Sequence, residues 1–310
     1  MVVSSSMNFP LFIQYNNEDI TDGVGAQALR ILGIFGIARQ FRLNYIHQPI
    51  LQLGLKEELT GPKFSEDHYQ ELLDQVNKLF DLPSDKIPKH FSCIAINSRN
   101  VGRKVLLGSL LLSFLLLPLR VRVVLKITLP FGITNYLEDP FRTAATYVHN
   151  NIPDEKRLNR PENVLHYRTV IHSKDDNRKI LTSEYYTTTL LEFFSKPHQS
   201  ISSLVIHCDI YPQTLSDSLH NSRVMDFFLF CQNFQYLGIE VKPYAPFFET
   251  LFDMVFARNF FMSRSALSYL AGVLNYGTVI YPPGHGHPRL PRWKVGCEKL
   301  NSVVTMPNET

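Results

Sequence analysis

Hydrophobic and polar positions change period several times along the first half of the chain. Residues 9–17, FPLFIQYNN, alternate as a strand does, and residues 43–50, LNYIHQPI, predict a second one. Between them Gly23 and Gly25 interrupt the pattern, after which Ala28, Ile31, Leu32, Phe35 and Ala38 return at helical spacing over residues 26–42. Strand, glycine turn, helix and strand make a βαβ unit, whose crossover calls for a parallel sheet covered by helices. An amphipathic helix is predicted over residues 66–80 and a further strand over 91–97.

Residues 150–163, NNIPDEKRLNRPEN, break this rhythm with Pro153, Pro161 and a run of charged side chains, the composition of a linker. The alternation then restarts. Strands are predicted at 164–172, 202–211 and 260–263, with 278–283 as the final one. Helices are predicted at 182–195, 247–258 and 265–277, and residues 225–234 suit either a helix or a buried strand. The fold class is therefore α/β, divided into an N-terminal lobe over 1–150 and a C-terminal lobe over 151–310. Two such lobes are expected to enclose a cleft, where ligands of α/β proteins commonly bind.

Composition changes this picture little. A hydrophobic share of 45% with 19% charged residues excludes disorder, and a net charge of +3 gives no support to nucleic acid as a partner. Cys93, Cys208, Cys231 and Cys297 lie far apart without a CxxC pair, which fits a reducing cytoplasm better than a disulfide framework. The N-terminus has neither the cationic nor the apolar region of a secretory signal.

Charge matters more by position. Residues 105–119, VLLGSLLLSFLLLPL, hold nine leucines and no charge. As a helix these fifteen residues would extend about 22 Å, short of the ~30 Å hydrocarbon core, so a buried helix is the expectation. From residue 86 to 137 there are eight Lys or Arg and no Asp or Glu, which also suits peripheral contact with an anionic membrane face.

Candidate chemistry sits at a few strand-to-helix junctions. In the DGVGAQ turn, Gly23, Val24, Gly25 and Gln27 precede a helix whose free N–H groups suit a phosphate, although the same spacing serves an ordinary βα turn and is neither GxGxxG nor a P-loop. In the strand over 164–172, His166 and Arg168 share one face, and the planar guanidinium of Arg168 matches a pyrophosphate or a surface carboxylate. Ser263, Ser265 and Ser268 lie at a helix start, where hydroxyls cap the helix or join it in holding phosphate. Asp209 closes a strand where it would accept from a nucleoside or shape a turn. His285 and His287 have no obvious third metal ligand, so no metal is assigned.

In chain order, DGVGAQALRILGIFGIARQFRLNYIHQP, LHYR and FFMSRSALSYLAGVLNYGTVIYPP resemble the fucosyltransferase-like glycosyltransferases of the GT-B fold. The resemblance implies two Rossmann-like lobes of GT-B type with an interlobe cleft, the first facing the acceptor and the second binding the donor. It implies a loop at Gly23, Gly25 and Gln27 with Arg30 one turn beyond, a His-x-Arg motif at His166 and Arg168 in which Arg168 contacts the diphosphate, and nucleotide contacts at Asp209, Ser263, Ser265 and Ser268. GDP-fucose would be the donor substrate, with no cofactor or metal, a glycan or lipid-linked glycan the acceptor, and inversion the stereochemical outcome. The family's continuation Arg-Gly-Asp is replaced here by Thr169, Val170 and Ile171. Asp22, His47 and His166 are the candidate bases. A nucleotide- or glycan-binding protein without transfer activity, or a membrane-surface structural protein, are the alternatives.

Overall fold

The computed structural model describes residues 10–18, 20, 22–54, 66–96, 103–128, 138–169, 181–195, 203–209, 218–243 and 245–297. The chain falls into two units, Met1–Pro153 and Asp154–Thr310. In the first, Leu11, Ile13 and Tyr15 of β1 (Leu11–Tyr15) are fully buried while the residues between them are not, the period-two pattern of a strand with one well-covered face. The helix α1 (Val24–Gln40) is buried around most of its circumference, since it packs on β1 and β2 (Asn44–Ile46) on one side and on α4 (Glu138–Asn151) on the other. Between them in sequence come α2 (Glu66–Leu79), β3 (Phe91–Ile96), α3 (Arg103–Leu116) and β4 (Arg122–Ile127). Tyr69, Leu73, Val76 and Leu79 form the buried stripe of α2.

The four strands are all parallel, in the order β2-β1-β4-β3. The strand β4, from a stretch for which no element is predicted, lies inside the sheet, and Val123, Val124, Leu125 and Ile127 are buried as a two-sided parallel strand requires. The predicted second strand is shorter than its apolar run, ending at Ile46.

The leucine-rich segment corrects an expectation. It does form a helix, but the helix is not buried: Leu107, Leu111 and Leu115 are 58%, 57% and 74% exposed. Ser109 and Ser113 turn inward instead. The helix packs on β4 and β1 along one narrow side, where small residues permit close approach, and its larger residues are left on the outside. Among the described residues no helix is long and apolar enough to cross a membrane.

The second unit contains β5 (Asn163–Tyr167), α5 (Ser183–Phe194), β6 (Leu204–Cys208), α6 (Ser218–Asn233), β7 (Ile239–Pro243), α7 (Phe247–Phe256), β8 (Asn259–Phe261), α8 (Ala266–Leu274), β9 (Thr278–Tyr281) and β10 (Lys294–Val295). Its sheet is parallel throughout, in the order β10-β9-β8-β5-β6-β7. From β5 the strands thus run outward through β6 and β7 on one side, and then through β8, β9 and β10 on the other. This is the strand order of a doubly wound Rossmann sheet, whose direction reverses between β5 and β8. Every residue of β5 and β6 is buried.

Aromatic side chains from β5, α5 and α6 fill the layer beside these strands. Tyr167 stands 4.6 Å from Tyr186 and 4.8 Å from Phe227 between ring centres, and Tyr185, Phe193, Phe230 and Phe234 complete the cluster. At the amino ends, Asn259 Nδ2 donates to Asn163 Oδ1 at 2.8 Å, and Asn163 Nδ2 donates to the Ser203 carbonyl at 3.0 Å. Residues 225–233 resolve as helix within α6, and Phe234 follows in a turn. The strand over 278–283 is not the last, because β10 adds to its edge. The strand opening the second lobe ends at Tyr167, so Arg168 lies beyond it, and the rest of its predicted span from 170 falls outside the described residues.

Candidate functional site

In doubly wound sheets the ligand crevice opens at the carboxyl ends of the strands where their order reverses. Here that point lies between β5 and β8. His166 occupies the end of β5, and the segment leaving β8, Ser263 to Ser265, leads directly into α8. His166 Nδ1 is 2.6 Å from Ser268 Oγ, 3.0 Å from Ser263 Oγ and 3.4 Å from Ser265 Oγ. The Ser263 N–H donates to Ser268 Oγ at 3.1 Å. Four of the residues singled out in the sequence are therefore brought to one place.

Ser265 is the N-cap of α8. It has extended backbone, and its hydroxyl accepts the Ser268 N–H at 3.0 Å. The Tyr269 N–H bonds to the Ser265 carbonyl at 3.0 Å, which leaves the amides of Ala266 and Leu267 as first-turn donors without a carbonyl partner inside the helix. Each serine thus has a local structural task. An anion at this terminus would meet backbone N–H groups and the positive end of the helix dipole rather than the hydroxyls.

Burial, reinforced by the charges of His207 and Arg168, pushes the His166 imidazole down to about 3. The ring is neutral at physiological pH, and Nδ1 is committed to the serine cluster. Arg168, two residues on, is half-buried beside it. The Thr169 N–H donates to Asp209 Oδ1 at 2.5 Å and its hydroxyl to the same oxygen at 2.9 Å, tying the end of β5 to the end of β6. Asp209 therefore fixes the backbone that carries Arg168.

Arg264 has no role in the sequence reading. It is 8% exposed, and its Nε donates to the Pro283 carbonyl at 2.8 Å. Gly284 lies against it with φ +68°, and a Cβ there would come within 2.9 Å of Arg264 Nη2. A second guanidinium thus stands in the segment between β8 and α8. Only the glycine at 284, whose left-handed backbone belongs to the tertiary turn, hints at it. His287 N–H donates to His285 Nδ1 at 3.1 Å, which leaves His285 Nε2 facing the Ser265 carbonyl at 3.4 Å. Both imidazoles belong to this wall, and among the described residues no three His, Cys, Asp or Glu side chains are arranged to hold a metal ion.

In the first unit, Gly23 is the N-cap of α1 with φ −63° and ψ 162°, and nothing lies within 4 Å of where its Cβ would be. Neither strain nor crowding demands glycine there, and the space beside it is open. Val24 and Gly25 are buried in the first turn. Gln27 Nε2 donates to the carbonyls of Asp22 at 2.6 Å and Gln52 at 2.7 Å, while its Oε1 is buried without a hydrogen-bond partner among the described residues. Arg30 pairs with Asp22, engaging that candidate base. Burial, only partly offset by Asp81, lowers the His47 imidazole, and Tyr45 Oη lies 3.0 Å from its Nδ1.

No family model matches the chain, and no curated protein does. Among solved structures it is similar to the E. coli heptosyltransferase WaaC with ADP-2-deoxy-2-fluoro heptose, at 11% identity over 92% of both chains and a TM-score of 0.39. POFUT1 in complex with GDP aligns over 93% of this chain and 98% of its own at 10% identity, with a TM-score of 0.41. The E. coli ADP-heptose lipopolysaccharide heptosyltransferase II aligns at 8% identity over 91% of this chain and 86% of its own, with a TM-score of 0.34. All three likenesses are distant.

Proposed function

We propose that the protein is a glycosyltransferase of GT-B type that takes a nucleotide sugar, GDP-fucose foremost, and transfers the sugar to a hydroxyl of a glycan or lipid-linked glycan without a metal ion. The lobe over 151–310 would bind the donor and the lobe over 1–150 would face the acceptor, with the reaction taking place on the cytoplasmic side of the cell. One observation carries the reading. His166 and the amino terminus of α8 meet at the strand-order reversal of a Rossmann sheet, the position from which such sheets hold nucleotides, and Arg168 follows just past the end of β5.

Breaking the bond between sugar and diphosphate develops negative charge on the leaving group and oxocarbenium character on the sugar. Arg168 and the first-turn amides of α8 would stabilise that charge, with Arg264 as the second cation in place of the one missing after the His-x-Arg motif. His166 is then a positioning residue: neutral and buried, it holds the serine segment that aims the helix. Asp209 would act in the same way through Thr169.

Thermal melting with GDP, UDP and no nucleotide tests binding, since a ligand at 100 times its dissociation constant adds ~2.7 kcal/mol of stability. A GDP-specific shift with sugar transfer from GDP-fucose supports the whole reading. The shift without transfer assigns a nucleotide-binding protein instead, the reading favoured by the complete internal engagement of His166 Nδ1. Arg168→Ala is expected to lower transfer by about 10²- to 10³-fold while the protein stays folded. Full activity in that variant would overturn the assignment.

A further inference from the structure

The helix α3 is built inside out. Leu107, Leu111 and Leu115 repeat every four residues as one exposed stripe, with Leu112 and Phe114 exposed at its sides, while Ser109 and Ser113 occupy the buried face beside Leu106. Ser113 can be buried because its hydroxyl donates to the Leu110 carbonyl at 2.6 Å. Ordinary surface helices place these residue types the other way round. The apolar surface continues past the helix. Leu117 and Leu119 are exposed in the turn that follows, as are Ile87 and Phe91 before and at the start of β3. These belong to one corner of the unit, because Phe91 pairs with Arg122 and the Arg122 N–H donates to the His90 carbonyl at 3.2 Å. An apolar surface of this extent marks a binding face.

Its rim is basic. Lys86, Lys89, Lys104 and Arg120 are exposed around it, and Lys104 shares the side of α3 that carries Leu107 and Leu111. Arg120 follows Leu119 directly in a left-handed turn with φ +59°. No Asp or Glu occurs from residue 86 to 137. A second copy docking through the same face would bring this basic rim against itself, which like-charge repulsion opposes. Leucine and phenylalanine surrounded by lysine and arginine suit instead a layer of acyl chains beneath anionic headgroups. At 14 residues the helix is about 21 Å long, so it would lie in the membrane plane rather than cross it.

We infer that the outer face of α3, together with the adjoining corner formed by Phe91, Leu117, Leu119 and Arg120, docks the protein on an anionic membrane surface. This inference is independent of the proposed transfer reaction. Sedimentation of the full chain with phosphatidylcholine vesicles and with vesicles containing ~30% phosphatidylserine tests it. Binding to the anionic vesicles is expected to exceed that to the neutral ones by about tenfold or more and to weaken at high salt. Leu111→Asp with Leu115→Asp should abolish binding, and Lys104→Glu with Arg120→Glu should remove the preference for anionic lipid. These side chains are exposed, so both variants should melt as the wild type does. Equal sedimentation with and without vesicles would overturn the inference, as would undiminished binding by the leucine variant. It would also be overturned by a stable wild-type dimer that the leucine variant splits while vesicle binding is absent.

Discussion

His166 Nδ1 and Ser268 Oγ lie 2.6 Å apart although 102 positions separate them in the chain. The bond spans the strand-order reversal of the second sheet and joins the carboxyl end of β5 to the first turn of α8. Because Ser268 Oγ also receives the Ser263 N–H, one hydroxyl holds both ends of the connecting segment.

Ser268→Ala leaves the Ser263 amide and the His166 ring without that buried partner, which should cost about 1–3 kcal/mol. Ser265→Ala removes the N-cap and should cost about 1 kcal/mol. Urea denaturation at neutral pH compares the two. A change within about 0.5 kcal/mol for Ser268→Ala, the range of an ordinary surface substitution, would deny the bond its structural role.

Acid should destabilise the second unit in two separable stages. The unfolded chain protonates His166 near the ordinary histidine value, whereas the folded protein resists until about 3, so the unfolded state binds more protons between those limits. Stability then falls as pH is lowered through that window, by up to about 1.4 kcal/mol per pH unit from this group, and levels off below it. His166→Gln should flatten that part of the profile. An unchanged slope in the variant would show that the imidazole titrates normally.

Asp253 governs the lower stage. Burial works to raise its carboxyl, but hydrogen bonds from His207, Arg160 and Lys242 outweigh it and hold the group at about 2. A depressed carboxyl stabilises the fold above its unfolded value near 3.8 and loses that contribution as pH falls toward 2. Arg160 Nη1 reaches Oδ1 at 2.8 Å, and His207 Nε2 and Lys242 Nζ reach Oδ2 at 3.0 and 3.1 Å. Asp253→Asn should therefore cost about 3 kcal/mol at neutral pH, because partly buried cations lose their counter-charge, and should remove the limb below pH ~4. Chemical denaturation across pH measures both effects.

Two glycines should behave in opposite ways. Gly284→Ala meets both a left-handed backbone and Arg264 Nη2, so it should cost about 1–2 kcal/mol and displace that guanidinium. Gly23→Ala meets nothing within 4 Å on an extended backbone and should leave stability within about 0.5 kcal/mol. Melting temperatures distinguish them. If Gly23 lies beside a bound substrate, its variant should also keep its fold while substrate affinity falls.

Local pattern determined much of this protein. Period-two runs marked β1 and β5, the spacing from Ala28 to Ala38 marked α1, and Ser265 ahead of an apolar run marked the start of α8, because dihedral preference and capping act within a few residues. The same reach explains why His166, Ser263, Ser265 and Ser268 could each be singled out, while their mutual bonds could not. Only the tertiary structure decided that β8 rather than β7 lies beside β5, since a parallel strand chooses its neighbour through distant backbone partners. It alone decided that Thr169 would claim Asp209, that Arg264 would fold against Gly284, and that the leucines of α3 would face outward. Hydrophobicity says that a side chain gains by leaving water; which surface receives it depends on how the rest of the chain packs.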